Sequence, residues 1–267
     1  MKPKNCAIIF NPEISASLQV KDEVENILKR HNINCQTLDI NNLRHNTDLA
    51  IVIGGDGTIL KTARFYAGTD TAIFGINLGR LGFLSQSSKK EFENAFNKIL
   101  NGEYRIENRL MLETENQIAL NDFVIKSPER GRTARFLLKI NNKTVCNYLA
   151  DGIIISTPTG STAYGLSAGG PVLSPEIEAF VIVPICPHTL NARPLVVPAS
   201  EKISICAPCP DNKEFLLSVD GQGNYTVENE IVIQKAQHCA KLLILDNSEF
   251  YTILQNKLNW GISPNYC

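Results

Sequence analysis

Apolar positions in the first hundred residues switch between two periods. Cys6-Ala-Ile-Ile-Phe10 is a short apolar run closed by Asn11-Pro12, after which Val20, Val24, Ile27 and Leu28 recur at helical spacing with charged residues between them. Leu49-Ala-Ile-Val-Ile53 is continuously aliphatic, as in a strand covered on both faces, and Gly54-Gly-Asp-Gly57 ends it. A helix from Thr58 is predicted to follow. Thr71 to Asn77 reads as the next strand, and Phe92, Ala95, Phe96, Ile99 and Leu100 form one helix face that ends near Gly102. Short strands alternating with amphipathic helices predict βαβ units on a mainly parallel sheet.

Past about Arg109 the pattern changes to period-two strands and tight turns, such as Phe136 to Ile140, Asn141-Asn142, then Thr144 to Leu149. The expected fold is therefore an α/β N-terminal domain with a mainly parallel sheet, joined to a mainly antiparallel C-terminal domain. Ser248 to Leu258 reads as a last helix, and pattern alone does not say which domain it packs on. No internal repeat or low-complexity linker separates the halves.

Composition acts mostly by exclusion. The chain has 267 residues, 43% apolar and 20% charged, enough for one large domain or two modest ones. Its net charge is −1 with both signs interspersed, which marks neither a nucleic-acid-binding surface nor a polybasic membrane patch. The N-terminal apolar run is too short for a signal-peptide core, and no stretch approaches the roughly 20 residues of a membrane span, so a cytoplasmic location is expected. Eight cysteines at irregular spacing, mostly inside apolar runs, read as small buried hydrophobes in a reducing compartment. Cys206-Ala-Pro-Cys209 lacks the second pair that a structural zinc site needs, so no metal ligands are expected. Asn142-Lys-Thr144 and Asn224-Tyr-Thr226 fit the glycosylation pattern, which has no meaning in a cytoplasmic chain.

Candidate chemistry begins at Ile51-Val-Ile-Gly-Gly-Asp-Gly-Thr58. Glycines at a strand-to-helix turn let main-chain N–H groups approach an anion, and the following helix points its positive end there. The pattern is neither a Walker A loop nor the GxGxxG fingerprint. The plain alternative is a tight turn with Asp56 as helix cap. A carboxylate among phosphate-binding glycines repels phosphate unless it has another task, such as orienting a hydroxyl or binding a metal. An ordinary aspartate, with pKa about 3.9, cannot deprotonate a sugar hydroxyl in the ground state, but it can accept the proton as a bond to phosphorus forms.

A second cluster is Asp151-Gly-Ile-Ile-Ile-Ser-Thr-Pro-Thr-Gly-Ser-Thr-Ala-Tyr164 with Gly165-Leu-Ser-Ala-Gly-Gly-Pro171. Pro158 and Gly160 break the strand, and Ser161 and Thr162 stand where a helix would begin. Such a turn groups hydroxyls and free N–H groups suited to ribose, amide or phosphate. A capped turn, the alternative, needs one such residue rather than five. Asn121-Asp122 interrupts an otherwise apolar strand and needs partners, either a ligand or backbone. Asp220-Gly-Gln-Gly223 reads first as a hairpin turn.

Taken together, these residues resemble the NAD kinase family. The motifs are Gly54-Gly-Asp-Gly-Thr58, Gly79-Arg-Leu-Gly-Phe-Leu84, Leu120-Asn-Asp122, the stretch from Ala150 to Tyr164, Leu166-Ser-Ala-Gly-Gly-Pro171, Pro187-His188 with Arg193-Pro-Leu195, and Asp220-Gly-Gln222. The first is shared with diacylglycerol kinases and phosphofructokinases, whereas the threonine-rich motif is more specific. The resemblance implies a kinase that transfers the ATP γ-phosphoryl group to the 2′-hydroxyl of the adenosine ribose of NAD, giving NADP. Magnesium, or another divalent cation, accompanies the ATP without a dedicated protein cage. It implies an α/β domain over 1–108, a β-sandwich NAD-binding domain over 109–240 with NAD bound between the two, and a segment 241–267 returning to the first domain.

By position, Asp56 matches the family's catalytic aspartate and Gly57 a pyrophosphate contact. Asn121 and Asp122 match a pair that holds the adenosine ribose, where many members have Glu in the second place. Asp151 matches the acid near the nicotinamide ribose or amide. Thr162, Ala163, Tyr164 and Ser167, with Gly165 and Leu166 among them, match the lining of the adenine pocket. Lys61 and Arg132 fall where members place basic or polar contacts, and Cys186 and Gln222 are further carry-overs. Leu149 stands where some members have Arg. The resemblance also implies a homodimer or homotetramer, and no nucleic-acid or membrane partner. Two rivals are a lipid kinase sharing the glycine turn, which would need an apolar or basic membrane-facing surface, and a dinucleotide sensor without turnover.

Overall fold

The computed structural model describes residues 3–79, 82–129, 133–189, 191–207, 214–245 and 250–260. Arg132, Cys209, Arg80 and Leu81 of the Gly79–Leu84 motif, and the first two residues of the expected Ser248–Leu258 helix lie outside them. The chain divides into two compact units, one of Met1–Asn108 with Lys241–Cys267 and the other of Arg109–Ala240.

The first unit opens with β1 (Asn5–Phe10), α1 (Ser15–Arg30), β2 (Asn34–Asp39), β3 (Leu49–Ile53), α2 (Asp56–Tyr66) and β4 (Ala72–Asn77). It continues through β5 (Ser87–Ser88), a 3-10 turn, α3 (Phe92–Asn101) and β6 (Tyr104–Arg109). The elements follow the apolar pattern closely. α1 buries Val20, Val24 and Leu28, and α3 buries Phe92, Ala95, Phe96 and Ile99, each set spaced to line one helix face. β2 carries too few consecutive apolar residues to stand out in the sequence; its register along β1 supplies the missing stabilisation. α2 starts at Asp56, two residues before Thr58.

In the second unit, β7 (Leu112–Glu113), β8 (Ile118–Ala119), β9 (Asp122–Lys126), β10 (Ala134–Ile140), β11 (Lys143–Ala150) and β12 (Gly152–Ser156) precede a short helix, α4 (Tyr164–Ser167). After it come β13 (Ala179–Ile185), β14 (Leu195–Pro198), β15 (Ile203–Cys206), β16 (Glu214–Val219), β17 (Asn224–Glu228) and β18 (Glu230–Lys235). The chain ends with β19 (Ala240–Leu245) and α5 (Phe250–Leu258).

The first sheet has the order β2-β1-β3-β4-β19-β6, with β5 beside β4, and β1 to β4 and β19 pair in parallel. Its core joins Ile8, Ile51, Ile53, Phe74 and Ile76 to the buried faces of α1 and α3. Two antiparallel sheets make the second unit, β11-β10-β15-β18-β7-β8 and β14-β13-β12-β9-β16-β17. Phe123, Ile125, Ile153 and Ile155 of one meet Phe136, Leu138, Ile203 and Ile205 of the other in a single core, so the architecture is a sandwich. The sheet containing β12 is apolar on its outer face too, where Val124, Ile154, Val181 and Val183 pack with Leu173 and Ala168. This double covering explains why all five residues of β12 are buried.

The hairpin expected at Asn141-Asn142 forms between β10 and β11, with both turn residues left-handed at φ of 49° and 65°. The four residues Asp220–Gly223 join β16 to β17, with Asp220 and Gly221 left-handed at φ of 50° and 67° and Gln222 N–H donating to Val219 O at 2.7 Å. Among the described residues no helix is long and apolar enough to cross a membrane. Phe136 is fully buried and stacks on Phe215 at 5.5 Å between ring centroids. Phe136→Ala is therefore expected to cost about 3–5 kcal/mol, read as a lower urea midpoint. Lys143→Ala, at an exposed position of β11, should stay within about 0.5 kcal/mol.

Candidate functional site

In the first unit the glycine turn lies at the carboxyl end of β3, the end at which open α/β sheets bind ligands. Gly55 is the N-cap residue of α2, so Asp56 occupies the helix's first turn rather than capping it. There the helix dipole favours a carboxylate. The carboxylate faces the following loop: Phe83 N–H donates to Oδ2 at 2.9 Å and Leu84 N–H to Oδ1 at 3.3 Å. A Cβ on Gly82 would fall 1.8 Å from Asp56 Oδ1, so Gly82 is glycine because the carboxylate fills the space of a side chain. Asp56 is half-buried, while Gly55 and Gly57 are exposed. Lys61, farther along α2, donates from Nζ to Asn41 Oδ1 at 2.6 Å.

A cavity of about 400 Å³ in the same unit is lined by Asp48, Leu49, Asp70, Tyr104 and Leu243 among others. It sits at the amino ends of β3 and β4, roughly 16 Å along the strand from Gly54. It is not the glycine-turn site. Asp48 is already accepting N–H groups of Lys4 and Asn5, and Asp70 is paired with Lys241.

In the second unit the polar residues gather where strands of one sheet end. The register sets Ser156 opposite Asp122, and Gly152 opposite both Lys126 and Ile185. Asp151 is thereby held at the other end of β12, exposed, with its N–H donating to Ile185 O at 3.0 Å beside Cys186. Cys186 is itself left-handed at φ 45°. Tyr164 heads α4 with 40% of its surface exposed. Partial burial raises its phenol, and the neighbouring Cys186, Asp122 and Asp151 push it the same way, so these four side chains share one electrostatic environment. Thr162, Ala163, Gly165, Leu166 and Ser167 flank Tyr164 in the same turn and helix.

Asp122 is the most perturbed acid of this group. It is 3% exposed. Burial, followed by the charge of Asp220, pushes its carboxyl up to about 7. Asp220 meanwhile accepts the N–H groups of Leu120, Asn121 and Asp122. The hairpin expected at Asp220-Gly-Gln-Gly223 is present, but the aspartate has this second task, which sequence spacing did not show.

Hydroxyl hydrogens in the threonine-rich turn go largely to backbone. Thr157 Oγ1 donates to Leu120 O at 2.6 Å, Ser161 Oγ to Pro158 O at 2.6 Å and Thr162 Oγ1 to Thr159 O at 3.2 Å. Buried Arg109 donates to Thr159 Oγ1 at 3.4 Å. The abundance of hydroxyls is thus partly structural, and Thr162 offers a ligand its lone pairs rather than its proton. Gly160 fits because a Cβ there would lie 2.1 Å from Asn121 O. Two contributors were missed in the sequence: Lys126, whose Nζ lies 5.4 Å from the Tyr164 ring centroid, and Arg109. A lone lysine at a strand end carries no sequence signal. Cys206 is a free thiol bonded to Glu230, and among the described residues no group of three or more His, Cys, Asp or Glu could hold a metal ion.

Comparison with known proteins agrees across both units. Residues 6–104 match the family model of the ATP-NAD kinase N-terminal domain, and residues 120–244 that of the C-terminal domain. An NAD kinase of Moorella thermoacetica is 42% identical over 221 residues, covering 79% of this chain and 71% of that protein. One of Carboxydothermus hydrogenoformans is 43% identical over 222 residues, covering 79% of each. Among solved structures, an NAD kinase from Archaeoglobus fulgidus in complex with ATP superposes with a TM-score of 0.83 at 27% identity, over 96% of this chain and 98% of that one. Yeast NADH kinase complexed with NADH gives 0.85 at 25% identity, over 99% and 89%.

The raised Asp122 carboxyl has a stability consequence. The native state keeps a proton that the unfolded state releases near pH 4, so the neutral form's full stability holds below that pH and is lost as pH rises to about 7. Asp122→Asn removes this dependence. The variant's unfolding free energy relative to wild type is expected to rise by about 4 kcal/mol between pH 4 and 7 and then level off, as measured by urea unfolding across pH.

Proposed function

The chain belongs to the NAD kinase family and is an ATP-dependent phosphotransferase; within that activity we propose that it transfers the γ-phosphoryl group of ATP to the 2′-hydroxyl of the adenosine ribose of NAD, with Asp56 as the catalytic residue. The observation that carries this assignment is the Asp56 carboxylate, fixed by two main-chain N–H groups in the first turn of a helix that follows the exposed Gly55. A carboxylate so oriented accepts the hydroxyl proton as oxygen bonds to phosphorus and the bond to the ADP leaving group breaks. The N–H groups at the start of α2, with Gly57, meet the phosphate charge, and Lys61 adds a positive charge farther along the helix.

The second unit is the dinucleotide-binding domain in this reading. Asn121 and Asp122 take the adenosine ribose hydroxyls. Tyr164, flanked by Thr162, Ala163, Gly165, Leu166 and Ser167, provides an aromatic face and main-chain groups for adenine. Asp151, with Cys186 beside it, takes the nicotinamide end; Gln222 and Arg132 are further polar contacts.

A divalent cation, magnesium by preference, comes with the triphosphate. Asp56, whose two oxygens accept main-chain N–H groups, is the acid placed beside the phosphates that such an ion would accompany. When bound, the cation neutralises charge on the transferring group. Residence in the cytoplasm accords with the six free thiols among the described cysteines. A homodimer or homotetramer accords with exposed Val196 and Tyr225 on the strands at either edge of one sandwich sheet.

Asp56→Asn is expected to lower NADP formation from NAD and ATP by roughly 10²–10⁴-fold, scored with an NADP-specific dehydrogenase, while calorimetric NAD affinity is retained. Full activity in the variant would remove Asp56 from the chemistry.

A further inference from the structure

Asp220 begins the four-residue hairpin loop between β16 and β17, yet its side chain acts on the chain a hundred residues earlier. Its Oδ1 accepts the N–H of Asn121 at 2.7 Å and of Asp122 at 3.1 Å, and its Oδ2 accepts the N–H of Leu120 at 3.2 Å. Asp220 N–H in turn donates to Asp122 O at 3.0 Å. From the other side, Thr157 Oγ1 donates to Leu120 O at 2.6 Å and Thr157 N–H to Asn121 O at 2.9 Å. Every main-chain donor and acceptor of residues 120–122 is therefore engaged by one of two residues. Leu120 and Asp122 are buried, so the main-chain groups of this break need protein partners, and one turn aspartate with one threonine supplies them for all three residues.

Resting on the reading that Asn121 and Asp122 hold the adenosine ribose, we propose that Asp220 is a positioning residue for the dinucleotide. It acts through the main chain of residues 120–122 and does not touch the ligand. Thr157 completes the clamp from the carbonyl side.

An aspartate is needed here for two reasons. The left-handed turn position accepts Asp, Asn or Gly readily. Of these, only Asp presents two acceptor oxygens; Asn would turn an N–H₂ donor towards the N–H of Leu120 or of Asn121 and Asp122. The same carboxylate is the charged neighbour of Asp122. The groups facing Asp122 from its surroundings are Asp220 on the β16–β17 turn, neutral Ser156 on β12 and Tyr164 on α4. Removing the charge of Asp220 thus lets Asp122 ionise at lower pH, a change that a general loss of stability would not produce.

The test compares wild type with Asp220→Asn, which preserves the turn, and with Thr157→Val, which removes only the hydroxyl. Amide hydrogen exchange at residues 120–122, NAD affinity by calorimetry, the KM for ATP, and the Asp122 carboxyl titration by ¹³C NMR are measured in each. In Asp220→Asn the exchange at these amides should quicken, NAD affinity should fall roughly tenfold or more, and the Asp122 titration should move to lower pH, with the KM for ATP unchanged. Thr157→Val should weaken NAD binding without moving that titration. Wild-type exchange rates in Asp220→Asn would overturn the clamp. Faster exchange with wild-type NAD affinity would reduce Asp220 to a structural staple and overturn its positioning role. Absence of NAD binding by the wild type would overturn the ribose reading and the proposal with it, a failure distinct from unchanged affinity in the variant.

Discussion

A main-chain N–H or C=O that leaves a sheet ladder inside a protein must find another partner, and this constraint shapes both polar clusters of the molecule. In the first unit, β3 ends at Ile53, the N–H of Gly54 still reaches Ile76 O, and the chain turns at once into α2. The loop bearing Phe83 and Leu84 finds partners for its N–H groups in Asp56. In the second unit, the break between β8 and β9 is satisfied by Asp220 and Thr157. The Asp56 carboxylate and the main chain that carries Asn121 and Asp122 are thus both held by bonds between side chain and backbone.

Apolar packing makes those bonds reproducible. β12 is buried on both faces, and a slip of one residue would exchange its two sets of side chains between unlike surroundings. Its register against β9 and β13 is therefore fixed, and with it the separation between Asp151 at one end and Ser156 with Thr157 at the other. Gly160 continues this arrangement by letting the turn rest directly on the Asn121 carbonyl. Buried Phe123 on β9 and Phe180 on β13 pack in the same core as Ile153 and Ile155 of β12.

The electrostatics follow from the same geometry. Bringing Asp220 close enough to take three N–H groups also sets a second carboxylate next to the buried Asp122, whose proton is then retained until about pH 7. The N–H groups compensate Asp220, whereas Asp122 bears the cost of burial. The shift of Asp122 thus comes from its own burial and from the charge of a carboxylate that the fold has placed beside it.

Periodicity made much of the fold legible before any coordinates. The unbroken aliphatic run of β3, the helical faces of α1 and α3, and the paired asparagines between β10 and β11 all declare local conformations, because burial on one face or both leaves a period in the sequence. The glycine turn and the threonine-rich motif were legible as polar groups in places where a strand should stop. β2 was not, since its stability comes from its neighbour, and the Asp220 turn was readable only as a turn. The sequence by itself determined which residues could bend, bury or ionise. Tertiary structure decided which of them meet: Gly82 with Asp56, Asp220 with residues 120–122, and Tyr164 with Asp122, Asp151 and Cys186. Those pairings depend on sheet order and register across many intervening residues, and local preference carries no record of such separations.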